Sequence, residues 1–396
     1  PQYEKRGLPG AVYEIVAAED IITPDGTVRN HKGDVVDTII TDENGIAMSC
    51  ELYLGEYEVR EVTAPNGMVL NPESRFVELV YAGQNVAVTE TATSFENERQ
   101  KVEISLVKSI EQNERFDIGT NGEMKNITFG LFAAEEIVSA SGTSIPANGL
   151  IEIVSLNEDG TATIKTDLPY GRYYVQEIAT DSHYKLSDAK YPIIFEYVGQ
   201  DTAVVKIAVN DGKAIKNDLI YGSVSGKKVD EDGNALGGAM IGLFRTDDGE
   251  FTKENALMTT TSAEDGSFSF ENIPCGTWYV REIEQPTGFV LDDTIYPVTI
   301  GTDGQVVEIE IVNEYGRGNI HLTKVDSEYP DNKLTGAVFE VYKDSNNNSK
   351  LDEGDELLGT LTEKEIGEYG MNDLFYGRYF VKETKAPDGF VLDTDV

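Results

Sequence analysis

Only two cysteines, Cys50 and Cys275, occur in 396 residues. They are too few and too far apart for a disulfide framework, so life in an oxidising exterior would demand some other stabilising device. Basic charge is scarce as well: 32 Lys and Arg face 71 Asp and Glu, a formal net charge of −39. That field repels phosphate, which excludes nucleic acid as a bulk partner and disfavours anionic lipid surfaces. No apolar run approaches the roughly 18 residues that mark a membrane helix, no charged leader precedes an apolar segment, and no hydrophobic tail follows. No membrane insertion is expected of this segment, and any export or anchoring signal is expected outside it. The three histidines, His31, His183 and His321, lie too far apart for a catalytic dyad or zinc site and read as surface or turn residues. At 40% hydrophobic and 9% aromatic the chain is nevertheless too apolar for an acidic disordered tail. Its length calls for several domains of roughly 100 to 150 residues.

What is present is repetition. "GEYEVREVTAPNGMVL" (55–70), "GRYYVQEIATDSHYKL" (171–186), "GTWYVREIEQPTGFVL" (276–291) and "GRYFVKETKAPDGFVL" (377–392) share a glycine, alternating aromatic and valine positions, a glutamate and a turn. Each reads as a strand followed by a turn. Upstream of each lies a hairpin signal, "TDENGIAM", "NEDGTATI", "SAEDGSFSF" and the weaker "TEKEIGEYGM", with glycine supplying positive φ. A third recurrence closes one unit and opens the next: Asn97 to Lys108, Asn217 to Lys228 and Asn313 to Lys324, each pair 11 residues apart. No long segment shows a 3.6-residue apolar period. The fold class expected is all-β, a tandem array of four Ig-like sandwich modules over 1–99, 100–218, 219–315 and 316–396. The first is expected to lack its opening strand and the last its closing strand, as in a section of a longer array with short linkers.

Alternation along a strand assigns faces directly. Ile104 and Leu106 share a face with Lys108, Ile320 and Leu322 with Lys324, and, more weakly, Val224 and Gly226 with Lys228. Tyr57 and Val59 share one with Glu61, Tyr173 and Val175 with Glu177, Trp278 and Val280 with Glu282, and Tyr379 and Val381 with Glu383. Phe95 lies with Asn97, Ile215 with Asn217, and Ile311 with Asn313. Three polar groups per unit are thus aimed at the core, where an uncompensated ion costs several kcal/mol. They could be solvated strand ends at the sandwich rim, worth under about 1 kcal/mol as ion pairs. They could form a buried structural pair with Asn as hydrogen-bond partner. Or desolvation could lower the lysine pKa and raise that of the glutamate, so that a neutral amine attacks the Asn carboxamide and expels ammonia. The product is a Lys–Asn isopeptide bond, formed without an external enzyme. Recurrence of the same trio on matching faces favours this third reading.

At these residues the chain resembles the SpaA-like, or Cna B-type, prealbumin-like domains of Gram-positive surface proteins and pilins. The resemblance covers all four units and rests on "KVD", "LTGAVFEVY", "GRYFVKETKAPDGF" and a closing Asn. It implies spontaneous Lys–Asn bonds with an acidic catalyst. Position by position, it implies crosslinks between Lys108 and Asn217 with Glu177, and between Lys228 and Asn313 with Glu282. It leaves Glu61 and Asn97 without a lysine in the first module, Lys5 being too near Leu8, and Lys324 and Glu383 without an Asn in the fourth. "ATDSHYKL" departs from the family's Pro-x-Gly turn.

Such a bond would join the strands where tension enters and leaves each module and, unlike a disulfide, would resist reduction. The function expected is an extracellular structural stalk of a cell-wall adhesin or a pilin-like shaft. Its partners would be neighbouring modules of a longer chain, and it would catalyse no turnover beyond single self-crosslinking. The alternative is a ligand-binding adhesin head in which one module holds a host protein or glycan. No cofactor is required. "DSNNNSKLDEGD" places Asp344, Asn346, Asn348, Lys350, Asp352 and Asp355 at the spacing of a calcium loop. An Asn-rich turn gives the same string, and Ser349 and Asp355 replace the usual Gly and bidentate Glu. "GSVSGKK" (222–228) lacks the length, the hydroxyl residue and the helix of a phosphate loop. Cys50 and Cys275 read as small core or rim fillers.

Overall fold

The computed structural model describes residues 5–138, 142 and 144–396. It is all-β as expected, and among the described residues the helical turns are three short 3-10 segments, Glu114–Phe116, Glu123–Asn126 and Val209–Gly212. The chain falls into two compact units, Pro1–Gln112 with Ile118–Asp218, and Asn113–Asp117 with Leu219–Val396.

Two modules are complete sandwiches. In the one opened by Lys101–Ile110, this strand stands between Thr161–Ile164 and Val204–Ala208, and Ile215–Asn217 continues the pairing. The facing sheet runs Leu150–Ser155, Thr128–Ala133, Gly171–Ala179 and Lys190–Phe195. Strict alternation builds the opening strand: Val102, Ile104, Leu106 and Lys108 are buried while Lys101 and Ser105 face water. In the next module Tyr221–Asp230 lies between Ser267–Pro274 and Val306–Asn313. Its facing sheet runs Met258–Thr261, Met240–Phe244, Gly276–Glu284 and Tyr296–Ile300. Closing and opening strands run parallel in both modules, and all other pairs are antiparallel.

The outer two modules carry less. In the first, one sheet of Val35–Ile40, Val12–Ala17, Gly55–Thr63 and Ser74–Leu79 forms, with a small ribbon beside it. Residues 46–54 and 80–98 have the sequence of the second layer but form no strand. The physical reason is a missing middle: in the two complete modules both flanks bond to a central opening strand, and none stands here among the described residues. Cys50 is therefore exposed, which corrects its reading as a filler, while Cys275 is half-buried. The fourth module pairs Arg317–Thr323 with Glu368–Phe375 and Thr362–Glu365, opposite Glu356–Thr360, Val338–Lys343 and Tyr379–Lys385.

The hairpin signals are only partly hairpins. Gly45, Gly160, Gly266 and Gly367 all have positive φ, and Asp42, Asp159 and Asp265 accept the N–H two residues on. In the two complete modules, however, the strands leaving each turn join opposite sheets, because both carry an apolar face that must meet across the core. Only the fourth turn joins two strands that pair with each other.

One substitution between modules explains the weak Val224, Gly226 and Lys228 pattern. Leu106 faces Ala162 across the strand pair, whereas Gly226 faces Phe268. A Cβ on Gly226 would lie 1.9 Å from Phe268 Cζ, so large and small have traded places at constant volume. Gly226→Leu is expected to destabilise the third module by about 1–3 kcal/mol, and Gly226→Leu with Phe268→Ala to recover most of it. Urea unfolding followed by the single tryptophan, Trp278, reads this module alone. Additive losses in the double variant would contradict the exchange.

Candidate functional site

In both complete modules the parallel register sets Lys and Asn on one face with the same offset. Lys108 stands beside Ile215 and Ile110 beside Asn217, and Lys228 beside Ile311 and Asp230 beside Asn313. An offset of two residues keeps both side chains on the inner face. The glutamate comes from the facing sheet, so the trio bridges the two layers of the sandwich.

In the second module Lys108 Nζ donates to Asn217 Oδ1 at 2.5 Å and lies 3.5 Å from Glu177 Oε1. Asn217 Nδ2 donates to Glu177 Oε1 at 2.8 Å and Oε2 at 2.9 Å, and to Thr180 Oγ1 at 2.9 Å. Both charged side chains are fully enclosed, 0% exposed. In the third module Asn313 Nδ2 donates to Glu282 Oε2 at 2.6 Å and to the Val290 carbonyl at 2.5 Å. Lys228 Nζ donates to the Ile311 carbonyl at 3.2 Å and stands 3.8 Å from Glu282 Oε1. Glu282 Oε1 and Asn313 Oδ1 have no hydrogen-bond partner, a condition that costs roughly 1–3 kcal/mol per group.

Burial sets the protonation tendencies. Desolvation pushes the Lys108 and Lys228 amines below the ordinary lysine range, against the opposing pull of Glu177 and Glu282. Desolvation likewise raises the Glu282 carboxyl, although Asn313 and the Asp292 N–H bond it. In the third module both shifts run against the ion pair beside the carboxamide.

Among the described residues the outer modules bring together two members each. Asn97 Nδ2 donates to Glu61 Oε2 at 2.7 Å and to the Val69 carbonyl at 3.0 Å. Glu61 Oε1, the oxygen that faces lysine elsewhere, has no partner, and Lys5 instead pairs with exposed Glu96. Lys324 Nζ lies 2.9 Å from Glu383 Oε1, with the lysine side chain still 18% exposed.

Two regularities were not visible in the sequence. The backbone N–H ten residues after each glutamate donates to its Oε2: Asn71 at 2.7 Å, Ser187 at 3.0 Å, Asp292 at 2.8 Å and Asp393 at 2.8 Å. And the first inward aromatic of each glutamate strand donates to the carbonyl four residues back, from Tyr57 to Tyr53, Tyr173 to Pro169, Trp278 to Pro274 and Tyr379 to Phe375. The constant spacing from glutamate to turn is the signal that could have revealed the first. In "ATDSHYKL" the turn survives without Pro or Gly: Tyr184 N–H donates to the Asp181 carbonyl, as Met68 does to Pro65 and Phe289 to Pro286.

The SpaA prealbumin-like fold domain model matches four times, over residues 2–93, 112–213, 222–315 and 318–396. The chain belongs to this family. Among curated proteins, Colossin-A of Dictyostelium discoideum is 24% identical over 93% of this chain, which spans only 3% of that protein. Among solved structures, the Bacillus anthracis TIE protein is 18% identical, with 98% of this chain and 65% of that one covered at a TM-score of 0.49. The major pilin subunit BcpA of Bacillus cereus is 16% identical, with 79% and 97% covered at a TM-score of 0.32.

Elsewhere in these prealbumin-like modules the candidate groups do not converge. His31 faces Asp20, His183 faces Asp181 and His321 faces Glu368, each in a different module. The 222–228 segment lies within a strand. The Asn-rich loop closes on itself: Asp344 accepts from the Asn348 and Ser349 N–H groups, both at 3.1 Å, and Asn346 and Asn348 donate to Asp352. Asp355 accepts from Ser345 and Asp352 N–H, and the Lys350 N–H donates to Asn348. Among the described residues no three His, Cys, Asp or Glu gather as a metal-binding group. The oxygens that the calcium expectation assigns to an ion accept loop N–H groups here, and Asn347 and Ser349 at positive φ complete a tight turn.

Because Glu61 anchors both the Asn71 N–H and the Asn97 amide, Glu61→Ala is expected to cost the first module about 1–3 kcal/mol. Hydrogen exchange across 55–79 should accelerate accordingly. Unchanged exchange would mean that the buried carboxylate organises nothing.

Proposed function

We propose that this chain forms an extracellular structural shaft, as in a cell-wall adhesin stalk or pilin, whose complete modules are welded by Lys108–Asn217 and Lys228–Asn313 isopeptide bonds. The observation that carries the reading is the Lys108 amine held at 2.5 Å from the Asn217 carboxamide oxygen in an enclosed site. The neutral Nζ attacks Asn Cγ, forming the Nζ–Cγ bond. The protonated glutamate gives its proton to Nδ2 as the Cγ–Nδ2 bond breaks, and recovers one from Nζ. Ammonia leaves and the carboxyl is regenerated. The two bonds that Nδ2 donates to the Glu177 oxygens support this path, because they hold the leaving nitrogen against the carboxyl group that exchanges protons with it.

The weld serves mechanics and stability together. It closes loops whose ends are 109 residues apart in the second module and 85 in the third (313 − 228). In the chain-entropy account developed for disulfides, such loops contribute about 4–5 kcal/mol each, apart from native strain. This supplies in a cysteine-poor chain what disulfides supply elsewhere. The acidic surface keeps such a shaft solvated.

Intact mass should fall short of the sequence value by two ammonia molecules, with fragment spectra linking the Lys108 and Asn217 peptides and the Lys228 and Asn313 peptides. Glu177→Ala and Glu282→Ala should each restore one. A full mass for the unaltered protein would sink the proposal.

The pH dependence has a definite sign. Reaction requires neutral Lys228, whose fraction rises with pH through its lowered pKa, and protonated Glu282, whose fraction falls through its raised pKa. Crosslink formation during refolding of denatured, freshly made chain should therefore trace a bell against pH, read by mass at timed quench. A rate that climbs monotonically would remove glutamate as proton donor.

A further inference from the structure

Within each compact unit the Pro-x-Gly turn of one module meets a tyrosine of the next. Tyr170 Oη donates to the Gly67 carbonyl at 3.0 Å, and its ring edge lies 3.6 Å from where a Cβ on Gly67 would stand. Tyr376 packs on Gly288 in the same way, with ring atoms 3.4 and 3.7 Å from that Cβ position. Both glycines have positive φ, 81° and 97°. Lack of a side chain and left-handed backbone together open a flat patch for a ring. The residue after each glycine bridges the linker two places beyond the closing Asn, Met68 to Arg99 and Phe289 to Tyr315.

The two tyrosines occupy equivalent places, each immediately before the glycine that opens its glutamate strand. Leu54 and Cys275 stand there in the first and third modules. The fourth module has the same turn, Phe390 N–H donating to the Pro387 carbonyl at 3.1 Å. Nothing lies within 4 Å of the Gly389 Cβ position, and Phe390 is 42% exposed where Met68 and Phe289 are half-covered.

We propose that the Pro-x-Gly turn and the tyrosine before the strand glycine are the two halves of a module-to-module joint, with Tyr170 and Tyr376 as its docking residues. The turn at 387–389 is an open half, and the partner that fits it is another prealbumin-like module bearing a tyrosine at that place. The joint involves none of the Lys, Glu and Asn groups and stands or falls apart from the crosslinks.

The test uses the full chain with Cys50→Ser and Cys275→Ser, spin-labelled through Glu308→Cys and Thr362→Cys, and reads the width of the interlabel distance distribution. Tyr376→Ala should at least double it. Tyr376→Phe, which keeps the ring, should leave it narrow. An unaltered width in the alanine variant would overturn the joint, as would a phenylalanine variant as broad as alanine. Labels at Glu78→Cys and Lys206→Cys with Tyr170→Ala repeat the test at the first joint, and an unchanged Trp278 emission certifies the third module in every variant of the second pair.

Discussion

An amine sealed in hydrocarbon governs this molecule. A lysine ammonium with no water around it is several kcal/mol out of place, and a carboxylate opposite repays only part of that cost. The sandwich holds such a group in two modules, at 0% side-chain exposure. Either protons must shift or bonds must form. A neutral amine against a carboxamide, with a protonated acid within reach, relieves the charge, and the proposed amide removes the titratable lysine altogether. If that amide forms, stability, resistance to reduction and the loss of ammonia all follow from the one enclosure.

The fourth module shows what performs the sealing. There Lys324 and Glu383 approach to 2.9 Å, closer than either complete pair, yet the lysine side chain keeps 18% of its exposure. Among the described residues no closing strand runs beside Arg317–Thr323. The strand that brings the asparagine is thus also the lid that excludes water. In the proposed reaction completeness of the fold would gate reactivity: docking of the last strand encloses the lysine, which would confine attack to the correctly paired partner.

The two-residue period of a strand made the site legible. Lys108, Glu177 and Asn217 each share a face with buried apolar neighbours, and alternation alone reveals that. The four-fold repeat then separates a recurrent trio from incidental strand-end charges. Pairing across the core was less legible. The turns at Gly160 and Gly266 read locally as hairpins, but which sheet a strand joins is set by apolar faces meeting at long range. The trade of Leu106 and Ala162 for Gly226 and Phe268 was hidden for the same reason, since neither residue is informative without its cross-strand neighbour. The acidic loop is ambiguous in a different way: its spacing serves an ion or a set of N–H donors equally well.

Register and spacing together determine how a pull would travel. Opening and closing strands run parallel, so tension applied at the start of one and the end of the other shears them along their length. With a bond from Lys228 to Asn313 the load leaves the backbone at the first residue and returns at the second, bypassing every strand between them. It then crosses 11 residues to Lys324. Those linker residues are the part of the path that no crosslink spans. They are also where the proposed joint grips: Gly316 N–H donates to the Gly288 carbonyl at 2.7 Å, and Tyr376 N–H to the Gly316 carbonyl at 2.9 Å. Covalent chemistry would thus protect the interior of each module, and a tyrosine on a glycine the stretch between, which makes the linker contacts the first to yield under rising force.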